Sequence, residues 1–305
     1  MHKMKLTIAI PTKDRYSKIR KLLKSLEKQT INDFLIIIID ASESFVNLEI
    51  DFPKLNLTQI KFDKPNLPLQ RFEAVSIVKT EYLGFFDDDV TISNDYIDTI
   101  ISYLEESSDN IAGCSGWIDN IPLKKISLNS IIRRVVSGIN IYKQGEISKG
   151  GYANPLLNRP NTNIDISYMM GPSMFYKTNI IKLYGDLKWL HALYDKKIGR
   201  GEDIALSGFI SKHGFKYKLL NNITCFHNHL GGGSPFSKKG YTKGIADSYS
   251  RSLISKKIAR KLNLRRKFSF IWYVFFNFLI FNKQIWLDFN YLKGFFEGLK
   301  RNYRI

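Results

Sequence analysis

Short apolar runs alternate with amphipathic stretches along the first 120 residues, and their spacing predicts strands and helices in turn. Residues 6–10 alternate as in a strand that stops at Pro11, and residues 34–39 form a continuous apolar run, typical of a strand buried on both faces of a parallel sheet. Further strands are predicted near residues 57–62, 82–86 and 111–117. Helical spacing predicts helices over residues 19–26, 71–78 and 94–105. This alternation predicts an α/β fold with a doubly wound, mostly parallel, Rossmann-like sheet.

The pattern changes after about residue 120. Residues 121–165 are polar, with scattered glycine, asparagine and proline, as in many irregular binding surfaces. Order returns over residues 166–176, and residues 219–226 predict a last strand. We therefore expect a domain over residues 1–235 and a helical C-terminal extension over residues 236–305.

The extension is basic and aromatic. Residues 256–267 contain seven lysines or arginines and no acid, and residues 268–281 contain eight aromatics in fourteen positions. At 1.5 Å per residue the aromatic run is too short to span a bilayer of ~30 Å. Amphipathic spacing then continues at Ile285, Phe289, Leu292 and Phe296. The pattern predicts peripheral membrane contact through residues 256–296; a helical hairpin packed on the domain, or an oligomer contact, is the alternative.

Composition narrows the class of protein. A hydrophobic fraction of 44% in 305 residues excludes general disorder, and the net charge of +18 favours an acidic partner: nucleic acid, anionic lipid or a phosphorylated substrate. A solvated lysine-rich surface is the alternative, and no nucleic-acid recognition motif accompanies the charge, so we expect no nucleic acid. Cys114 and Cys225 are predicted to be buried free thiols, and the first residues predict no signal peptide, so a cytosolic active site is expected.

Three consecutive carboxylates, Asp87, Asp88 and Asp89, follow the predicted strand at 82–86. Ligand chemistry in open α/β sheets lies at strand ends. Adjacent carboxylates repel one another, and a hard divalent cation such as Mn²⁺ or Mg²⁺ removes the repulsion while it holds a phosphate. The run predicts metal-assisted chemistry on a phosphorylated donor; an acidic surface turn or a helix cap is the alternative.

Several segments together resemble the family-2 glycosyltransferases, which have the GT-A fold. The resemblance covers about the first 235 residues and rests on the order and spacing of the segments. It implies a nucleotide-binding half over residues 1–118 and an acceptor-binding half over residues 119–235. The segments are the opening strand and turn at 7–15, the second strand at 37–42, the helix start at 69–72, an Asp-x-Asp-like motif at 86–89 and an acid pair at 201–203.

The resemblance implies a divalent metal, Mn²⁺ or Mg²⁺, held in the Asp-x-Asp-like segment. Asp89 is the expected direct ligand, Asp87 contacts metal or ribose, and Asp88 shapes the turn or supports the site from behind. His227 is the expected third ligand, with His229 as the alternative and a loop histidine without a ligand role as the other possibility.

For the donor, the resemblance implies that Asp40 accepts a hydrogen bond from the base, often uracil; a strand-ending turn aspartate is the alternative. Pro11 and Asp14 wall the nucleotide pocket, although the family more often has Asn where Asp14 stands. Arg71 neutralises phosphate or pairs with a site carboxylate, and Phe72 replaces the usual Asn beside it.

Asp203 is the candidate general base that deprotonates the acceptor hydroxyl, and Glu202 is the alternative base or an acceptor-binding group. Flanking glycines at 199 and 201 suggest a loop that closes over substrate. The plainer interpretation is that both acids cap the helix that follows them.

The sequence therefore predicts a metal-dependent, inverting glycosyltransferase of the hexosyl or deoxyhexosyl type. It would move sugar from a UDP- or dTDP-linked donor to a glycan or lipid-linked glycan in cell-surface polysaccharide synthesis, at the inner face of the cell membrane. One alternative is a metal-dependent nucleotidyltransferase, although its usual Gly-rich phosphate loop is absent from residues 11–15. The other is a catalytically inactive module on the same scaffold that binds membranes or polyanions.

Overall fold

A computed structural model of the chain resolves into two compact units, each built from interleaved segments. Unit 1 contains Met1–Ile121, Arg159–Leu187 and Gly214–Leu230, and unit 2 contains Pro122–Asn158, Lys188–His213 and Gly231–Ile305. The predicted domain boundary at residue 235 stays a prediction. The structure describes residues 4–119, 128–140, 142–148, 150–184, 187–228, 240–258, 264–280 and 288–302.

Unit 1 holds a nine-stranded sheet within the described residues. The spatial order is β3-β2-β1-β4-β8-β6-β9-β5, with β7 paired to β9. Neighbours from β3 to β4 are parallel, β8 runs antiparallel between β4 and β6, and β6 and β9 are parallel. The strands are β1 (Leu6–Thr12), β2 (Phe34–Asp40), β3 (Leu57–Lys61), β4 (Tyr82–Phe86), β5 (Val90–Ile92), β6 (Ile111–Asp119), β7 (Ile164–Ile166), β8 (Ser173–Lys177) and β9 (Lys216–His227).

The helices pack on this sheet in unit 1 or against one another in unit 2. The first four and α6 belong to unit 1, and the others belong to unit 2. In chain order they are α1 (Tyr16–Leu26), α2 (Leu48–Asp51), α3 (Leu67–Ile77), α4 (Tyr96–Glu106), α5 (Leu128–Val136), α6 (Thr178–Tyr184), α7 (Lys188–Asp195), α8 (Glu202–Lys212), α9 (Gly240–Ile245), α10 (Arg251–Ile258), α11 (Leu264–Val274) and α12 (Phe289–Asn302).

Helix α1 shows how the apolar pattern builds unit 1. Its buried side chains, Ile19, Leu22, Leu23 and Leu26, form one stripe at helical spacing and join the core with β1 and β2. The predicted α/β fold with a large, mostly parallel sheet is confirmed.

Two helix starts differ from the predicted ones. Helix α3 begins at Leu67 rather than at residue 71, because the Asn66 side chain caps it by accepting a hydrogen bond from the Leu69 amide at 3.2 Å. Helix α4 begins at Tyr96 rather than at residue 94, because residues 94 and 95 form a turn in which the Tyr96 amide donates to the Ser93 carbonyl oxygen at 3.1 Å. Strand β5 ends before this turn, at Ile92.

The sheet brings the carboxyl ends of three strands to one edge. Thr12 at the end of β1 is in register with Asp40 at the end of β2, and Ala9 of β1 is in register with Phe85 of β4. Asp87 therefore follows β4 at the same edge where Thr12 and Asp40 end their strands, which is where open α/β sheets bind ligands.

The regular elements in the described part of unit 2 are helices, and its described residues between 137 and 158 are turns and irregular chain with one isolated β-bridge, between Ile147 and Ala153. Two π-helical turns interrupt the helices: Ala246–Ser250 joins α9 to α10, and Phe275–Ile280 follows α11. Helices α9 and α12 cross closely, since a Cβ on Gly294 would lie 2.0 Å from the Tyr241 carbonyl oxygen.

The buried face of α12 consists of Tyr291 and Phe295, which pack with Val274 of α11. Phe289 and Phe296, from the stripe predicted by sequence, are exposed instead, and Ile285 lies outside the described residues. In the described part of the chain, no helix has both the length and the apolar character needed to cross a membrane.

Candidate active site

The acidic segment Asp87–Asp89 is the short turn that carries the chain from β4 to β5. Asp88 and Asp89 are almost fully buried, whereas Asp87 is about one quarter exposed. The Asp87 amide donates to the Pro172 carbonyl oxygen at 3.3 Å, and the Asp89 carbonyl accepts from the Asn228 amide at 2.9 Å. Backbone bonds on both sides therefore fix the three carboxylates relative to the sheet.

Asp88 points back toward the end of β1. It accepts a hydrogen bond from the Thr12 hydroxyl at 2.7 Å, and the Arg15 guanidinium lies 2.6 Å from its other oxygen. Burial raises the pKa of Asp88 to about 7, against the opposing effects of Arg15 and Thr12. These contacts tie Asp88 to the end of β1, and its predicted supporting role stays a prediction.

Asp89 lies among three basic side chains. One oxygen lies 2.5 Å from the Arg15 guanidinium and 3.4 Å from the Lys18 amine, and the other lies 3.1 Å from His227 Nε2. Burial alone would raise the pKa of Asp89, but the His227 hydrogen bond and the Arg15 charge hold it well below its usual range. The carboxylate is therefore anionic at neutral pH.

Asp87, Asp89 and His227 form a group that could hold a metal ion. One potential ligand atom from each lies within 4.8 Å of the others. His227 reaches the acids because β5 and β9 are antiparallel neighbours with Val90 opposite His227. Two carboxylate oxygens and one imidazole nitrogen are suitable ligands for a divalent transition metal, with Mn²⁺ among those they accept. These three side chains therefore fit a divalent cation. His229, the alternative ligand predicted from sequence, lies outside the described residues.

Arg71 lies beneath this group. Its side chain is almost fully buried and donates hydrogen bonds to Asp87 Oδ1 at 3.0 Å and to the Gly171 carbonyl oxygen at 3.2 Å. The guanidinium carbon of Arg71 lies 5.9 Å from the centroid of the Phe85 ring. The Arg71 side chain is thus paired with a carboxylate of the candidate site, and its predicted role toward phosphate stays a prediction.

Asp40 is fully buried at the end of β2 and is surrounded by donors. Its Oδ2 accepts from the Tyr16 hydroxyl at 2.6 Å and from Gln59 Nε2 at 2.7 Å, and its Oδ1 accepts from the Ser42 amide at 2.9 Å. Burial and the bond to Asp40 raise the pKa of Tyr16. Each carboxylate oxygen can accept two hydrogen bonds, so Tyr16 and Gln59 use the capacity of Oδ2 and Ser42 uses part of that of Oδ1. The predicted contact with a base stays a prediction.

Asp14 and Pro11 shape the turn after β1. Asp14 has a φ of 54°, in the left-handed region that Asp and Asn tolerate better than other side chains. Its amide donates to the Ser42 hydroxyl at 2.7 Å, and its Oδ1 accepts from the Glu43 amide at 2.9 Å. Pro11 is buried within β1. Asp14 therefore holds the turn after β2, adjoining Asp40.

Glu202 and Asp203 belong to unit 2 and form the first turn of α8. Tyr194 donates its hydroxyl hydrogen to Glu202 Oε2, and Asp203 Oδ1 accepts from the Ile204 amide at 2.8 Å. Gly201 before them has a φ of 73°, which favours glycine. A Cβ on Gly199 would lie 2.1 Å from the Tyr194 ring, so the loop depends on a glycine there.

A buried charge cluster in the π-helical turn anchors the loop before α8. The Ser250 hydroxyl accepts from the Arg200 amide at 3.1 Å and donates to the Arg200 carbonyl at 3.2 Å. The Arg200 side chain lies 3.5 Å from the Asp247 carboxylate, which also accepts from Lys243 at 2.7 Å and from the Tyr291 hydroxyl at 3.0 Å. Asp247 therefore joins the loop that carries the acid pair to two helices of the same unit.

Sequence reasoning assigned no role to several of these residues. Arg15 stands inside the segment that carries the family resemblance, and Lys18 follows three residues later on α1, so a basic pair near the end of β1 was a usable signal. Tyr16 and Gln59 gave no such signal. Gln59 reaches Asp40 because β3 pairs with β2, and Tyr16 reaches it from the first turn of α1, so both contacts depend on the fold and not on local pattern.

Comparisons with known proteins agree with this architecture. The family model for glycosyl transferase family 2 matches residues 7–180, which is more than half of the chain. No curated protein matches the chain.

Solved structures share the fold at low identity. S. aureus TarS is 17% identical with a TM-score of 0.56, over 97% of this chain and 49% of TarS, so the chain spans about half of that protein. TarS 1–349 in complex with UDP-GlcNAc is 15% identical, with a TM-score of 0.55 over 93% of this chain and 78% of that one. The mannosyltransferase PcManGT from Pyrobaculum calidifontis, in complex with GDP-Man and Mn²⁺, is 11% identical. Its TM-score is 0.55, and the match covers 98% of this chain and 75% of PcManGT.

The family match includes strands β1, β2 and β4 and the acidic turn, which carry Asp40, Asp87 and Asp89 of the candidate site, while His227 on β9 lies beyond the matched residues. The chain therefore belongs to glycosyl transferase family 2, and its fold is that of the GT-A glycosyltransferases.

Proposed function

We propose that this glycosyltransferase is metal-dependent and inverting, and that it moves a hexosyl or deoxyhexosyl group from a UDP- or dTDP-sugar to a hydroxyl of a glycan or lipid-linked glycan. The observation that carries the proposal is the convergence of Asp87, Asp89 and His227, with ligand atoms within 4.8 Å, at the sheet edge where Asp40 also ends its strand. TarS and PcManGT were solved with nucleotide sugars, the latter with Mn²⁺, which supports a donor and a divalent metal of these classes.

The donor half of the proposal rests on unit 1. Asp87, Asp89 and His227 would hold Mn²⁺ or Mg²⁺, which as a Lewis acid stabilises the diphosphate leaving group when bound. Arg15 and Lys18 supply positive charge beside the same carboxylate. These two cations now lie against Asp89 and are long enough to turn toward a phosphate that binds there.

Asp40 selects the base in this proposal. Its carboxylate is held by three donors from the protein and accepts the ring N–H of a uracil or thymine through the remaining capacity of Oδ1. Pro11 and Asp14 form the wall next to it by fixing the turns after β1 and β2.

The acceptor half rests on Asp203, with Glu202 as the alternative base. The carboxylate removes the proton from the acceptor hydroxyl as its oxygen forms a bond to the anomeric carbon from the side opposite the leaving group. The bond between that carbon and the phosphate oxygen breaks, and the nucleoside diphosphate leaves with the bonding electrons. The configuration at the anomeric carbon is therefore inverted.

We place this reaction in cell-surface polysaccharide synthesis, on the cytosolic face of the membrane. The support is the net charge of +18 and the basic, aromatic segment near the C-terminus, which suit an acceptor carried by a lipid.

The test is nucleotide release from a panel of nucleotide sugars in the presence of Mn²⁺ or Mg²⁺, with the full chain. We expect slow hydrolysis of one uridine or thymidine donor, its loss with a chelator, and its loss in Asp89→Asn. His227→Ala should need at least about tenfold more metal for half-maximal release, because one ligand is missing.

Asp165→Asn is the matched control, since Asp165 also contacts two cations, Lys216 and Lys218, but lies on the surface away from the acidic turn. It should leave release unchanged. Release that persists with the chelator and in Asp89→Asn would refute a role for the metal, and metal-dependent incorporation of a nucleoside monophosphate would favour a nucleotidyltransferase.

A further inference from the structure

Two helices of unit 2 each expose an apolar stripe to solvent. On α5 the exposed apolar side chains among the described residues include Leu128, Ile132 and Val135, at i, i+4 and i+7. On α11 they include Leu264, Phe268 and Ile271, at the same spacing. A surface helix of a globular protein normally places polar side chains there, so both stripes need an apolar partner.

The inner side of α11 is apolar as well. Val274 packs with Tyr291 and Phe295, and the Tyr273 ring stacks on Tyr152 with centroids 4.0 Å apart. The outward stripe is therefore additional to the surface that this helix needs for its own packing. A helix that is apolar on both sides in this way is buried on both sides in its working state.

The two helices are joined to each other. Trp272 of α11 donates its indole N–H to the Val136 carbonyl oxygen, in the last turn of α5, at 2.6 Å, while part of the ring stays exposed. The π-helical turn after α11 also packs against α5. An indole at such a boundary, with a polar edge satisfied and an apolar body in solvent, is typical of a membrane interface.

Charge decides what covers these stripes. Residues 248–287 contain no acid, and neither do residues 120–145. Arg265 and Lys267 on α11 are exposed beside the stripe. The cations in these two stretches are Lys124, Lys125, Arg133, Arg134 and Lys143 in the first, and Arg251, Lys256, Lys257, Arg260, Lys261, Arg265, Arg266, Lys267 and Lys283 in the second.

We propose that α5 and α11 together form a face that lies in the interface of an anionic lipid bilayer, with the two apolar stripes among the acyl chains and the arginines and lysines at the headgroups. A second copy of the chain is disfavoured as the occupant, because its equally basic face would repel this one. The sequence predicted membrane contact through residues 256–296; the inference narrows that segment to α11 and adds α5. It does not depend on the proposed catalytic function.

The test is co-sedimentation of the full chain with vesicles of phosphatidylcholine alone and with vesicles that also contain phosphatidylserine. We expect binding to the anionic vesicles that weakens as salt is added, since each cation at the surface strengthens binding roughly fivefold. Phe268→Ser with Ile271→Ser, and separately Leu128→Ser with Ile132→Ser, should each weaken binding by about tenfold or more.

Leu183→Ser is the matched control, because Leu183 is an equally exposed leucine on α6 of unit 1. It should bind like the unaltered chain, and circular dichroism should show that all variants stay folded. The double variant Arg265→Glu with Lys267→Glu tests the charge without changing the apolar stripe, and it should abolish the preference for vesicles that contain phosphatidylserine. Lys54→Glu is the control for a charge reversal elsewhere on the surface, and it should keep that preference.

Three results would overturn the proposal. One is binding that the stripe variants leave unchanged. Another is loss of binding from the α11 pair with none from the α5 pair, which would refute a shared face. The third is sedimentation velocity without vesicles that shows a dimer dissociated by the stripe variants, which would make the face a contact between copies.

Discussion

Asp247→Asn is the substitution that best tests the anchoring of the loop before α8. The Asp247 carboxylate is almost fully buried and is shared by Lys243, Arg200 and Tyr291. Asparagine has nearly the same shape, so the change removes the charge without leaving a cavity. Two cations then remain in a largely desolvated place without their counter-charge.

The cost follows from how buried the partners are. Breaking a buried ion pair by removing one partner costs about 3–5 kcal/mol. The side chains of Lys243 and Arg200 are 17% and 28% exposed, so water can partly replace the lost charge. We therefore expect a loss of about 2–3 kcal/mol in the free energy of unfolding, or a decrease of several degrees in the melting temperature of unit 2.

The assay is urea-induced unfolding of the full chain, with Asp165→Asn as the control. Asp165 also has two lysine partners, but it is half-exposed, and such surface pairs contribute at most about 1 kcal/mol. A double-mutant cycle with Lys243→Met should show coupling of at least about 0.5 kcal/mol. Equal small losses for the two Asp→Asn variants, or additivity in the cycle, would refute the reasoning.

Two further predictions concern unit 1. Tyr16→Phe removes one hydrogen-bond donor from the buried Asp40 carboxylate and should lower the free energy of unfolding in urea by about 1–3 kcal/mol. Tyr142→Phe, at an exposed tyrosine, is the control and should leave it unchanged. Equal effects of the two changes would contradict the contact between Tyr16 and Asp40. Gly113→Ala would bring a Cβ within 2.0 Å of the Phe175 carbonyl oxygen, where β6 meets β8, so we expect at least about 3 kcal/mol of destabilisation or insoluble protein, and wild-type stability would refute that packing.

Local pattern was enough to predict the elements of unit 1 that carry their own signal. The alternation in β1, the apolar run of β2 and the stripe of α1 each depend on neighbours in sequence, and each is present in the structure. Strand β5 was missed because its three residues follow the acidic turn directly, and only the pairing with β9 makes them a strand.

In the candidate site, too, some residues were predictable from local sequence and others depend on the fold. Asp40, Asp87 and Asp89 were predictable because each follows an apolar strand, and strand ends meet at one edge of a parallel sheet. The contact of Arg15 with Asp88 and Asp89 joins elements more than seventy positions apart in the sequence, so the basic pair near the end of β1 signals a site residue but not which acids it contacts. The expected roles of the site residues in catalysis and donor binding stay predictions.

Unit 2 was the least predictable part. Asp247 lies in a π-helical turn in which the sequence shows only a polar stretch, so its burial among Arg200, Lys243 and Tyr291 depends entirely on how the helices pack. The exposed stripe on α5 also escaped notice, because residues 121–165 as a whole are polar and irregular.

The interleaving of unit 1 has a consequence for how the chain folds during synthesis. Strand β8 fills the place between β4 and β6, and β9 is the neighbour of β6 on its other side, yet both strands follow long insertions in the sequence. The N-terminal strands therefore leave the ribosome with unpaired edges and cannot complete their sheet until residue 227 has been made, which favours slow folding and a need for chaperones. His227 is the last residue of β9, so the triad of Asp87, Asp89 and His227 assembles only when the final strand is in place.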